Sequence, residues 1–125
     1  MSRIAFSPPP QLWFATAFAL LAIVVYLSLN HAPVQLPGDE GGRFGHMAAY
    51  GSLMFMFARM YAMPRGRLLI GALLVLIGIT LECLQATTGY RTFEYADMIA
   101  NTTGVVLGWL AQRTLSLITM NYVRK

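Results

Sequence analysis

LECLQATTGYRTFEYADMIANTTGVVLG, residues 81–108, is the stretch whose reading decides the fold. It holds Glu82, Glu94 and Asp97, three of the chain's five acidic residues, with Gln85, Arg91 and Asn101 set among them. Nearly continuous apolar sequence flanks it on both sides. Polar and ionisable groups are expensive beside hydrocarbon, so such a density calls for a partner network or a function. Its two ends read as the close of one helix and the start of another. The loop between them carries Tyr90, Phe93 and Tyr95, residues suited to an aromatic belt at the headgroup level.

Composition sets the class. Of the 125 residues 57% are hydrophobic and 11% charged, and the mean hydropathy is +0.57. A soluble globular chain carries about 25% charged residues. A chain this short and this apolar makes one small bundle of membrane helices, with no separate soluble domain. The expected fold is therefore all-α, a multi-pass membrane protein forming a single domain over residues 1–125, with helices at about 12–30, 44–63, 68–86 and 97–119. Asn30 to Arg43 is a Pro- and Gly-rich loop with the adjacent acids Asp39 and Glu40, and Pro64-Arg-Gly-Arg67 reads as a short basic turn. A secretory signal is the rival reading of the first apolar run, because Arg3 precedes it. The run is long for such a signal, and SLNHAPVQLP offers a poor cleavage site, so an uncleaved first helix is expected.

Orientation follows from the basic residues. Four crossings put Arg3, Arg59, Arg65, Arg67, Arg113, Arg124 and Lys125 on one side, and only Arg43 and Arg91 on the other with all five acids. That asymmetry predicts the first group, and both termini, on the cytoplasmic side of the membrane, with the acidic loops outside. The net charge of +4 contains no basic run or basic helix face, so nucleic acid is not an expected partner. Cys83 has no second cysteine in the chain, which excludes an intramolecular disulfide and a Cys-rich metal site.

With this topology the polar residues converge. His46 and Tyr50 share one face of the second helix, Glu82 and Gln85 share a face of the third, and Asp97 and Asn101 share a face of the fourth. All lie within about 10 Å of the outer surface at 1.5 Å per helical residue. Asp97 near a helix N-terminus suits the macrodipole and can cap that end. Arg91 in the preceding loop can fold back onto Glu82 or Asp97. Gly104 and Gly108 form a small-residue face that lets the fourth helix approach a neighbour closely, and Gly71 and Gly78 can serve the third in the same way.

Taken together, His46-x-x-x-Tyr50 after an acidic loop, Glu82-x-x-Gln85 closing a helix, Arg91 in the next loop, and Asp97-x-x-x-Asn101-x-x-Gly104-x-x-x-Gly108 opening another resemble the VanZ-like family of small bacterial membrane proteins. The resemblance covers about residues 35–112. In that family a single Asp, followed by a Lys, precedes the His. Here the segment is Asp39-Glu40-Gly41-Gly42-Arg43, so either acid can be the equivalent one, and Arg43 is the candidate for the lysine's role. The family takes its name from a protein linked to resistance to the glycopeptide teicoplanin. The resemblance implies this fold and this residue set more than it implies an activity.

Three functions compete. The first is a binding module at the outer leaflet, with membrane lipids as partners and a lipid headgroup, a lipid-linked cell-envelope precursor or a lipoglycopeptide as ligand. Arg43 and Arg91 would hold phosphate, while Tyr50, Gln85 and Asn101 would bond sugar or glycerol oxygens, with His46, Glu82 and Asp97 completing the site. The second is an intramembrane enzyme, whose candidate acid–base groups are His46, Glu82 and Asp97. No nucleophile elbow, phosphate loop or HExxH spacing supports it, and neither a cofactor nor a metal is expected. The third is a structural subunit, as a homo-oligomer or within a larger membrane complex.

Overall fold

Pro10 and Pro64 each open a helix, at a position where the missing N–H costs nothing because no intrahelical partner is due there. The computed structural model describes residues 9–30, 37–38 and 42–124. Within them lie four helices, α1 (Pro10–Leu29), α2 (Arg43–Met60), α3 (Pro64–Thr87) and α4 (Tyr95–Val123), and no strand. The readings that concern Arg3, Asp39, Glu40 and Lys125 fall outside the described residues.

Two boundaries differ from the sequence reading for identifiable reasons. Pro64-Arg-Gly-Arg67 is the first turn of α3, and α2 ends at Met60. Proline holds the residue before it in extended conformation, and Met63 sits at φ −85°, ψ 138°, so the break falls at residues 61–63. Tyr95, not Asp97, opens α4, and Glu94 is its N-cap residue. Asp97 is therefore a first-turn acid that meets the positive end of the helix dipole, and does not cap it. At the other side of the loop α3 closes with Thr88 donating its N–H to the Gln85 carbonyl at 3.1 Å, followed by Gly89 at φ +80°. That left-handed conformation is favourable only without a Cβ, which is why glycine stands there.

Hydrogen bonds at the helix ends fix an up-down-up-down order. Gln85, near the end of α3, donates to the Ser28 carbonyl near the end of α1, and His46 at the start of α2 meets Asn101 at the start of α4. At the opposite end Arg67 Nε donates to the carbonyls of Ala58 (3.1 Å) and Tyr61 (2.7 Å), satisfying acceptors that the end of α2 leaves unpaired. The Arg59 guanidinium lies 4.8 Å from the Trp13 ring centre at that same end. Among the described residues α1 packs on α2 and α3, α4 packs on α2 and α3, and α1 and α4 make no close backbone approach.

α2 and α4 form the closest pair, and glycine is the cause. A Cβ built on Gly104 would fall inside the contact radius of the Met47 carbonyl oxygen, and one built on Gly108 inside that of Gly51. One built on Gly51 would lie 3.2 Å from the Gly104 carbonyl oxygen. Small residues on both helices let the backbones meet directly, as in close-packed membrane helix pairs. Around this seam α2 supplies Tyr50, Leu53, Met54, Phe57 and Ala58 to the core, joined by Ala17 and Val24 from α1, Leu74 from α3 and Val105 from α4.

The outer surface is apolar. Phe18, Ile23, Leu76, Ile99, Leu107, Leu110 and Ile118 are all exposed. Two helices have the length and hydropathy to cross a membrane, α1 at mean hydropathy 2.3 and α3 at 2.2. α2 and α4 fall below that composition because they carry His46, Gly51, Asn101, Gly104, Gly108 and Gln112 toward the interior of the bundle.

Candidate functional site

The end of the bundle where α1 and α3 close and α2 and α4 open holds the polar residues. Tyr50 of α2, Glu82 and Gln85 of α3, and Asp97 and Asn101 of α4 are all buried, and His46 of α2 is partly so. Helical spacing brings each pair to one face, and the close α2–α4 seam brings the faces together.

The centre is a triad across two helices. His46 Nδ1 lies 3.1 Å from Asn101 Oδ1, so the ring N–H on Nδ1 donates to the amide oxygen. This fixes the imidazole with Nε2 turned toward Asp97, whose Oδ2 is 3.6 Å away. That separation is an electrostatic contact and too long for a hydrogen bond. The Asp97 side chain is 5% exposed, and its other oxygen, Oδ1, is fully buried without a hydrogen-bond partner among the described residues. A buried carboxylate oxygen left in this state is costly, which marks it as unfinished business of the site.

Glu82 forms the second carboxylate. Its Oε1 accepts the backbone N–H of Glu94 at 2.9 Å. Glu94 is the N-cap of α4, so a side chain of α3 satisfies the N–H that an acid three residues into the helix often bonds. This contact locks the loop between the two helices. Glu82 is also within electrostatic reach of Asp97, His46 and Arg91. Tyr50 is buried within electrostatic reach of it.

The arginines occupy the rim. Arg43 Nη2 stands 3.6 Å from Glu94 Oε2 with both side chains about half exposed, a geometry of little energetic weight in itself. Arg91 makes no ion pair within 4 Å among the described residues. It acts on Glu82 and Asp97 at longer range, while Glu82 Oε1 accepts the backbone N–H of Glu94. The expected fold-back of Arg91 onto one of these acids is thus replaced by a backbone contact. Gln85 turns toward α1, where its Nε2 donates to the Ser28 carbonyl, and Tyr90 Oη donates to the Leu29 carbonyl at 2.8 Å. These two residues tie the end of α1 to the site.

Three contributions escape a reading of side-chain chemistry alone. Glu94 serves through its backbone as well as its carboxylate, and no sequence signal marks a backbone donor. Gly51 is the partner of Gly104 and Gly108, and no sequence signal singles it out among the small residues Gly45, Ala48, Ala49 and Ser52 of the same helix. Gly78 makes room for the triad: a Cβ there would lie 3.0 Å from Asn101 Nδ2 and 3.4 Å from the Tyr50 ring.

The donor set is suited to hold a polar group and to move a proton between His46 Nε2 and a bound molecule. No three side chains of His, Cys, Asp or Glu converge closely enough to hold a metal ion among the described residues. Cys83 is exposed, on α3, without a thiol partner in the chain.

A family model described as VanZ/LLP1 matches residues 6–116. Neither the curated proteins nor the solved structures provide a match. The chain belongs to the VanZ/LLP1 family, and this membership with its two strongly apolar helices supports a membrane protein.

Proposed function

We propose that the chain crosses the bacterial cytoplasmic membrane four times with both termini inside, and that the polar end of the bundle recognises the headgroup of an amphiphile from the outer leaflet. A membrane lipid, a lipid-linked envelope precursor and a lipoglycopeptide share the required chemistry, a polar head on an apolar tail. The observation that carries the reading is Asp97 Oδ1, a buried acceptor without a partner among the described residues, placed beside His46 and within electrostatic reach of the rim arginines. The exposed apolar side chains of α3 and α4, Leu84 and Ile99 among them, border the same end and offer a tail its contact. The excess of basic residues at the opposite end supports the orientation.

Native mass spectrometry of the purified protein tests the reading. Co-purified amphiphile is expected, and Arg91→Ala is expected to reduce it. A protein that retains no amphiphile above the background of a helical membrane protein of similar size would sink the idea. A reporter fused at the C-terminus is expected to be active only in the cytoplasm.

One observation favours a second reading, an enzyme acting on the headgroup. Asn101 accepts the Nδ1 N–H of His46, the kind of contact that orients a general base and leaves Nε2 as the proton acceptor. A hydroxyl or water entering beside Nε2 would find its proton acceptor already aimed. Lipidomics on cells carrying His46→Ala or Glu82→Gln separates the two readings, since unchanged lipid and precursor pools exclude turnover.

A further inference from the structure

We infer that the group taken into the inner part of this site is a primary ammonium, and that the preferred headgroup is phosphoethanolamine, with its amine held inside and its phosphate at the rim. This rests on the headgroup reading above and names the chemistry that it leaves open.

Charge within the site is layered. Glu82 and Asp97 are 2% and 4% exposed and lie within electrostatic reach of each other, with one imidazole between them and the outside. With both carboxylates ionised, a single histidine leaves the inner layer one or two charges short of balance. The cations that could offset it, Arg43 and Arg91, stand at the rim, and Arg43 is engaged by Glu94. Uncompensated buried charge is strongly unfavourable, so a ligand bringing a positive group inward gains what the protein has left unpaired.

The shape of the vacancy in hydrogen bonding is equally specific. Among the described residues Asp97 Oδ1 accepts no bond, and Glu82 accepts one, the Glu94 N–H on Oε1. Asp97 Oδ1 needs an N–H or O–H donor. A primary ammonium supplies three donors and a full charge in one small group. A trimethylammonium brings the charge but no donor, and a glycerol hydroxyl brings a donor but no charge. A divalent cation would need three converging ligands, and the described residues do not provide them. Outside, Arg91 has no carboxylate within 4 Å among the described residues and is the group that meets the phosphate.

The test uses the full-length chain in detergent micelles, offered equal amounts of phosphatidylethanolamine, phosphatidylglycerol and phosphatidylcholine with matched acyl chains. Native mass spectrometry is expected to show at least fivefold preference for the ethanolamine lipid, falling stepwise along its mono-, di- and trimethylated forms. Asp97→Asn is expected to abolish the preference while phosphatidylglycerol binding persists. Arg91→Ala is expected to weaken all three lipids together. Equal or better binding of phosphatidylglycerol by the wild-type chain would overturn the ammonium site while leaving headgroup recognition intact, and that comparison needs no variant to fold. A preference for phosphatidylcholine over its unmethylated parent would also overturn it. Loss of all lipid binding would remove the headgroup reading itself. Free phosphoethanolamine is expected to compete with the lipid, and glycerol 3-phosphate is not. Capture of the free compound without the lipid would identify a soluble ligand and overturn the lipid form of the proposal.

Discussion

Gly108→Ala is the sharpest test of how the site is assembled. The added Cβ would enter the space of the Gly51 carbonyl, backbone that no rotamer change can move aside. Restoring ordinary carbon–oxygen contact requires α2 and α4 to separate by about 1 Å, or to slide past each other, and inserting one carbon into such a seam costs about 1–3 kcal/mol. Alanine's higher helix propensity returns about 1 kcal/mol. Gly71→Ala is the matched control on α3. Its Cβ would meet Val105 Cγ1 at 3.6 Å and Met54 Sδ at 3.7 Å, both ordinary contacts, so it keeps the propensity gain without the clash. The two variants are therefore expected to differ by about 1–3 kcal/mol, with Gly108→Ala the less stable, a gap of roughly 3–12 °C in Tm for a chain of this length. Thermal unfolding in mild detergent, followed by far-ultraviolet circular dichroism, reads the gap. A Gly108→Ala protein that melts with or above Gly71→Ala would refute direct backbone contact between α2 and α4.

Glu82→Leu leaves the Glu94 N–H without its acceptor in a buried loop and is expected to cost about 1–3 kcal/mol, whereas Glu82→Gln keeps an oxygen acceptor and should cost less than half as much; paired unfolding curves check the ratio. Gly78→Ala presses on Asn101 Nδ2, so it is expected to change Tm little but to disturb the His46 imidazole, seen as a shift in the histidine ring resonances of the labelled protein. Arg67→Lys removes the Nε donor that binds two carbonyls at the end of α2 and should lower stability by about 1 kcal/mol, measured by the same unfolding assay.

Much of this arrangement was legible because helical periodicity is strict. His46 and Tyr50, Glu82 and Gln85, and Asp97 and Asn101 had to share faces once their segments were helical, and the alternation of successive helices placed all six at one end. Gly104 and Gly108 announced a close approach, but the partner was not legible, since the small-residue pattern on α4 says nothing about which helix carries Gly51. Arg91 shows the opposite limit. An arginine between two acids invites a salt bridge on sequence grounds, yet Glu82 Oε1 is taken by a backbone N–H that every residue but proline possesses. Gln85 is misleading in the same way: its spacing points it to the site, while the unpaired carbonyls at the end of α1 draw its amide to Ser28.

The helix ends also explain why the polar groups gather where they do. Four helix ends meet at this face, two closing with carbonyls that lack partners and two opening with N–H groups that lack them. Gln85 and Tyr90 answer the carbonyls of α1, and Glu82 answers the N-cap N–H of α4. Had every polar side chain here been recruited to such bonds, the cluster would be a cap and nothing more. The His46–Asn101–Asp97 triad is different, because none of its side-chain contacts reaches a helix-end backbone group. Its carboxylate remains half unsatisfied at 5% exposure, 3.6 Å from the imidazole that could have closed on it. A bundle selected for stability alone would pair that oxygen or replace Asp97 with an apolar residue, since a buried uncompensated carboxylate is destabilising. Its presence in this seam supports the proposal that the group meets something from outside the chain.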